Sequence, residues 1–154
     1  MPDKEYMVAH LLDSIDEFRS WPPHITLLPW MTTVDVPKLE DSFQTVADST
    51  GLITLTTGPL ELKDNRFEEV RKIIKTEQLD ELHMALLGAA KHIGQFGPKI
   101  KHFGRPGYNP HITKHSGISE GDDILMRSFS LIEAEEKRPE ENRLKTVIGT
   151  FRLG

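Results

Sequence analysis

Four residues, Pro23-His24-Ile25-Thr26, recur without change as Pro110-His111-Ile112-Thr113, a little over half the chain later. A proline fixes its own φ and pushes the residue before it towards extended backbone, so each tetrad is approached as extended chain. On a strand, side chains alternate between faces with a period of two. His24 and Thr26 then share one face with Ile25 behind them, and His111 and Thr113 share another with Ile112 behind them. If the two strands meet, two imidazoles and two hydroxyls converge on one site. The competing structural reading is two half-exposed strands of ordinary composition, in which His and Thr are common.

The segments around the tetrads read as an alternation of strands and helices. Tyr6 to Leu12 is short and apolar and predicts a buried first strand, in which His10 reads as a satisfied core histidine. Asp35 and Pro37 mark a helix start, Leu39, Phe43 and Val46 recur at helical spacing, and Gly51 suits the position after its end. Leu52 to Thr57 predicts a strand ended by Gly58-Pro59, and Glu69 to Lys75 predicts another. Thr76 can cap a second helix running to Ala90–Ile93, with Leu79, Leu82, Leu86 and Ala90 on its buried stripe. His83 and His92, on or beside that helix, read as structural or solvated. Gln95 to Asn109 is rich in glycine and proline and reads as loop, and Ser128–Lys137 with Leu144–Leu153 read as a hairpin.

The order is strand, His-strand, helix, two strands, helix, His-strand, hairpin. That is an α+β pattern built twice over, and duplication places equivalent residues about a pseudo-twofold axis. The expected architecture is two lobes whose antiparallel sheets form a central cleft, with helices outside, in one domain spanning 1–154.

Composition bounds the function. With 154 residues, 37% hydrophobic and 28% charged, the chain reads as a soluble globular protein. It has no cysteine, so neither a thiol nucleophile nor a thiolate metal site is available. No apolar run reaches membrane-spanning length, and Met1-Pro2-Asp3-Lys4-Glu5 lacks the pattern of a signal peptide, which predicts a cytoplasmic protein with no membrane partner. A net charge of −5 argues against binding long duplex nucleic acid, which rewards a basic surface. From Leu82 to Ser119, however, there is no Asp or Glu, while Lys91, Lys99, Lys101, Arg105 and Lys114 are present. The second tetrad lies inside this acid-free stretch, which suits a local anion site or a solvated charge cluster.

These residues resemble a known family. Two His-hydrophobic-Thr motifs on strands, half a chain apart and separated by helices, are similar to those of the two-histidine (2H) phosphoesterase superfamily. That group includes bacterial RNA 2',3'-cyclic phosphodiesterases of the 2'-5' RNA ligase type, eukaryotic cyclic phosphodiesterases, and phage enzymes that degrade cyclic oligonucleotide signals. The resemblance implies catalytic roles for His24, Thr26, His111 and Thr113, with no cofactor. Lys114 departs from the apolar residue usual after the second motif.

The chemistry suits the residues in its own right. Phosphodiester hydrolysis takes one proton from the attacking oxygen and gives one to the leaving oxygen, and histidine does both near neutral pH. Threonine hydroxyls can donate to the phosphoryl oxygens, and no carboxylate stands near either tetrad to complete a dinuclear metal site. Tyr108 and Phe103 are candidates to stack on bases, as are Trp21 and Trp30, for which core packing competes. Lys101, Arg105, Lys114 and, if the second strand runs on, His115 are candidates for substrate phosphate. The expected partner is a nucleotide, a short RNA or a cyclic oligonucleotide, and the oligomeric state is left open. Two other readings stay in view: a nucleotide-binding module without turnover, and a metal protein using His24, His111 and His115.

Overall fold

The structure, a computed structural model, describes residues 4–32, 35–62, 69–97, 100–101, 103–104, 107–113, 117–135 and 143–154. The elements run β1 (Glu5–Leu11), β2 (Glu17–Phe18), β3 (His24–Thr32), α1 (Val36–Asp48), β4 (Ile53–Leu62), β5 (Glu69–Ile73), α2 (Glu77–Ala90), β6 (Gln95–Phe96), β7 (His111–Ile112), β8 (Asp123–Met126), β9 (Ser128–Ala134) and β10 (Lys145–Arg152). They form two antiparallel sheets, ordered β2-β10-β9-β1-β3-β6 and β7-β5-β4-β8. The α+β class and the duplicated pair of sheets expected from the sequence are what the chain adopts.

The duplication is visible in the strand order. Reading towards the motif strand, β10-β9-β1-β3 in one sheet corresponds to β8-β4-β5-β7 in the other. Each motif strand pairs on one side with a strand from earlier in the chain, β3 with β1 and β7 with β5.

The helices begin where their caps dictate. Asp35 Oδ1 accepts from Lys38 N at 3.2 Å, with Pro37 in the first turn where its missing N–H costs nothing. Thr76 Oγ1 accepts from Leu79 N at 3.2 Å at the start of α2. Leu39, Phe43 and Ala47 of α1 and Leu79, Leu82, Leu86 and Ala90 of α2 are buried in one core with Ile25, Leu27 and Leu131 of the larger sheet and Ile53, Leu55, Ile73 and Ile112 of the smaller. The two isoleucines of the tetrads, Ile25 and Ile112, are both fully buried in that core, as period-two alternation requires.

Three expectations need correction. The strand after Leu52 does not end at Gly58-Pro59 but passes through them to Leu62, with a register shift between Thr57 and Leu60. A bulge is where a strand tolerates proline, because the ladder bond that proline lacks is already interrupted. The short strands β2, β6 and β8 fall in stretches read as loop or left unassigned; at two to four residues they are too short for alternation to show. The second tetrad is strand only at His111–Ile112, and Thr113 already lies in a bend. The turn around Pro139 lies outside the described residues.

Candidate active site

Both histidines are held by the same backbone device. His24 Nδ1 lies 2.9 Å from Pro22 O, and His111 Nδ1 lies 2.8 Å from Asn109 O. A carbonyl only accepts, so in each ring Nδ1 carries the proton and donates it. In the neutral imidazole the lone pair is therefore on Nε2, the nitrogen that can accept a proton at either position. The next carbonyl in each approach ties the motif strand to its neighbour, with Leu12 N donating to Pro23 O and Ile73 N to Pro110 O, both at 3.0 Å. Leu11 is thereby paired with His24 and Lys72 with His111, each in the closer, non-hydrogen-bonded kind of antiparallel pair.

A buried relay joins the two motifs. The Tyr108 hydroxyl donates to Thr26 O at 2.8 Å, so a residue three before His111 is bonded to the backbone of the first motif. The Tyr108 ring stacks on His83 with centroids 4.0 Å apart and planes 12° apart. His83 in turn bonds two backbone groups, Leu27 O through Nδ1 at 2.8 Å and Gly104 N through Nε2 at 2.9 Å. Nε2 must accept from Gly104 N–H, so Nδ1 carries the proton and His83 is neutral. Burial pushes its pKa down, in keeping with that state. The relay holds β7 against β3, whose Cα atoms approach within 8 Å.

This relay corrects the stacking assignment of Tyr108 and leaves that of Phe103 open. Tyr108 is only 3% exposed, and burial pushes its hydroxyl pKa up, so it stays protonated as a donor. Phe103 packs partly buried beside it, 5.9 Å from the Tyr108 ring and 5.7 Å from His83. The Tyr108 ring is therefore not an open platform for a base, while Phe103 keeps part of its surface exposed beside it. The sequence suggests an exposed pair because both lie in a polar, glycine-rich loop, and the partner that buries Tyr108, His83, is distant in sequence.

The surroundings of the two histidines differ. Trp21 stacks on His24, centroids 4.1 Å and planes 24° apart. Behind Trp21 lie Phe18 at 4.9 Å and Trp30 at 6.1 Å. The fully buried Lys145 places Nζ 5.6 Å from the Trp21 centroid while donating to Arg19 O at 2.8 Å. Arg143 lies over Trp30 at 4.7 Å and is ion-paired with Glu5. Trp30 therefore packs, as the competing reading holds, and Trp21 supports the candidate catalytic ring.

Beside His111 the neighbour is a cation. Lys72 shares its face and forms an ion pair with Glu61 at 3.2 Å, its side chain about one-third exposed. No sequence signal singles out Lys72, because its value depends on strand register. Lys101 is exposed in the segment before Phe103, and Arg105, Lys114 and His115 lie outside the described residues. His10 is buried, with Nδ1 2.9 Å from Ser128 O and its pKa lowered by burial, which is the core role expected of it. Among the described residues no group of three or more His, Asp or Glu side chains is placed to hold a metal ion, and no helix is long and apolar enough to cross a membrane.

Comparison with known proteins returns structures rather than sequences. No family model and no curated protein matches the chain. Among solved structures, TT0787 of Thermus thermophilus superposes with a TM-score of 0.69 at 16% identity, covering 97% of each chain. A protein described as a phosphoesterase gives 0.61 at 16% identity over 99% of each chain. E. coli LigT in complex with 3'-AMP gives 0.57 at 16% identity over 98% of each. The shared property at this identity is the fold, end to end, and it is the fold that the two-histidine resemblance implied.

Proposed function

We propose that this chain, folded as LigT and TT0787 are, is a phosphodiesterase that needs no metal and opens a 2',3'-cyclic phosphate or a 2'-5' or 3'-5' linkage in a short or cyclic oligonucleotide. The observation that carries the reading is the matched pair of Nδ1–carbonyl bonds, which gives His24 and His111 the same tautomer. Two imidazoles with Nε2 as the exchanging nitrogen supply a general base and a general acid from one side-chain type.

In the reaction one Nε2 takes a proton from water as its oxygen forms a bond to phosphorus. The ester P–O bond breaks, and the other histidine, entering as imidazolium, gives its Nε2 proton to the departing ribose oxygen. The enzyme ends with the two protonation states exchanged. Thr26 and Thr113 donate from their hydroxyls to the non-bridging oxygens, whose charge grows in the transition state. Lys72, beside His111, adds a positive charge on the same side. LigT structures holding 3'-AMP, NADP+, ATP and phosphate support a nucleotide-sized anion as ligand.

The test is a substrate screen over nucleoside 2',3'-cyclic phosphates, 2'-5' dinucleotides and cyclic dinucleotides, each with and without excess EDTA. Turnover of at least one class, unchanged by EDTA, is the expected result. Activity lost to chelation and restored by zinc would establish the metal reading instead. Tight binding without turnover of any ester would make the chain a nucleotide-binding module.

A further inference from the structure

Beside His111 the smaller sheet carries a hollow of about 490 Å³, lined by Gly58, Pro59, Lys72, Ile74, Lys75 and Asn109 among others. We propose that it is a subsite for a second nucleotide of the substrate, so that the favoured ligand is a chain or ring of at least two nucleotides. The inference rests on the phosphodiesterase reading for the location of the scissile phosphate, and adds which substrate class fills the rest of the cleft.

Register and alternation place the hollow on the same side as the candidate chemistry. Lys72, which lines the hollow, pairs with His111 and so shares its face, and Ile74, just past the end of β5, lines it too. Ile74 is 50% exposed, an apolar side chain left open to solvent next to Pro59 and Pro110. Such a surface suits the flat face of a base. Residue 58 is glycine: a Cβ there would make ordinary contact, 3.5 Å, with both Lys72 Cβ and Ile74 Cγ1, so it takes a longer side chain to fill the space.

Two ammonium groups border this apolar surface. Lys72 is paired with Glu61 at 3.2 Å and Lys75 with Asp80 at 3.5 Å, with lysine side chains 35% and 30% exposed. The Glu61 partner of Lys72 is itself 45% exposed, so that pair is weak and a phosphate displaces it at small cost. Asp80 is only 18% exposed, so Lys75 keeps that pair and meets a phosphate with its remaining N–H donors. An apolar wall, an amide at Asn109 and two cations match a nucleoside carrying a phosphate, and the volume falls in the usual range for a small-ligand pocket. Neither His24 nor His111 lines the hollow, so on this proposal a mononucleotide cyclic phosphate seated at the histidines does not fill it.

The experiment compares a dinucleotide ending in a 2',3'-cyclic phosphate, a cyclic dinucleotide and a nucleoside 2',3'-cyclic phosphate. The ratio of kcat/KM between a two-nucleotide substrate and the mononucleotide should be on the order of tenfold, and should shrink as salt rises, since one more phosphate is neutralised. Lys75→Ala should reduce that ratio by a few-fold, Lys72→Ala should lower kcat/KM for both substrates because Lys72 also flanks His111, and Gly58→Leu should bring the ratio close to one by filling the space. Whichever two-nucleotide substrate shows the higher ratio identifies a linear or a ring ligand.

The same ratios are read by calorimetry as Kd for the 3'-phosphorylated dinucleotide against the 3'-mononucleotide. If no ester is hydrolysed, the phosphodiesterase reading fails while these affinities still judge the subsite. A parent ratio near one by either readout overturns the proposal. So does a clear preference that Gly58→Leu and Lys75→Ala both leave unchanged.

Discussion

The first motif, His24 on β3 against β1, and the second, His111 on β7 against β5, are copies in backbone and strangers in side chains. In each, an aromatic stands three residues before the histidine, the ring Nδ1 bonds the carbonyl two residues before, and the carbonyl one before ties the strand to its neighbour. Around that shared frame the residues diverge. The cross-strand neighbour is Leu11 in one half and Lys72 in the other. The aromatic Trp21 turns onto its own histidine, whereas Tyr108 turns away to stack on His83 and bond Thr26 O. β3 is nine residues long with a strand on either side, and β7 is two residues at a sheet edge. The backbone thus holds the two rings alike, while the side chains around them differ: an aromatic stacked on His24 in the first half, and a lysine beside His111 in the second.

The shared frame is tested most severely at the histidines. His24→Ala and His111→Ala should each lower kcat on the order of a hundredfold to ten-thousandfold. The double variant should lose less than the product, because acid and base act as one unit. Turnover should follow a bell in pH, falling when either ring is in the wrong form, and Thr26→Ala and Thr113→Ala should be milder with the bell retained. A folded His24→Ala or His111→Ala protein working at the parent rate would end the claim that the halves are chemically equivalent.

The sequence shows the frame more clearly than its furnishings, for a physical reason. The tetrads, Asp35, Thr76 and the helical stripe of Leu79, Leu82 and Leu86 act through neighbours a few residues away, so spacing alone reveals them. Lys72 beside His111, Trp21 on His24 and the burial of Tyr108 under His83 depend on which strands pair and in what register. A one-residue slip would turn every such side chain to the other face, and which residue then lies opposite is decided by a strand distant in sequence. The bulge at Gly58-Pro59 reads locally as a strand end for the same cause, since only its partner β5 shows that the strand resumes.

The brace is the next thing to break. His83→Leu removes the partner of Leu27 O and of Gly104 N, leaving one buried and one part-buried backbone group unbonded at a cost of about 2–5 kcal/mol. Tyr108→Phe keeps the ring and removes one bond to Thr26 O, and should cost about 1 kcal/mol by urea denaturation. Both should also lower kcat, since the tie sets the spacing of the motifs. His83 and His10 are held below their ordinary pKa by burial, so the unfolded chain takes up protons that the folded one refuses. Stability should accordingly be full above about pH 6.5 and fall as pH drops below it towards the folded values, by up to about 1.4 kcal/mol per pH unit for each histidine. A His83→Leu protein with parental stability, or one whose stability keeps the parental slope below that pH, would remove His83 from the brace.

The smallest expected effect is also the most direct probe of the asymmetry. Lys72→Leu gives the second half the neighbour that the first half has in Leu11, and Leu11→Lys does the reverse. If the cation next to His111 serves only its ion pair with Glu61, the first change should cost under about 1 kcal/mol of stability and leave kinetics alone. If it meets substrate phosphate, Lys72→Leu should raise KM by a few-fold at low salt, with the difference fading as salt screens the charge. Leu11→Lys should not restore that loss when the two are combined, because its position lies beside Trp21 and His24, where Lys145 already supplies a positive charge. Full rescue by the swap would mean that the halves are interchangeable around the phosphate. Parental KM for Lys72→Leu at every salt concentration would confine Lys72 to its ion pair and place substrate recognition elsewhere in the cleft.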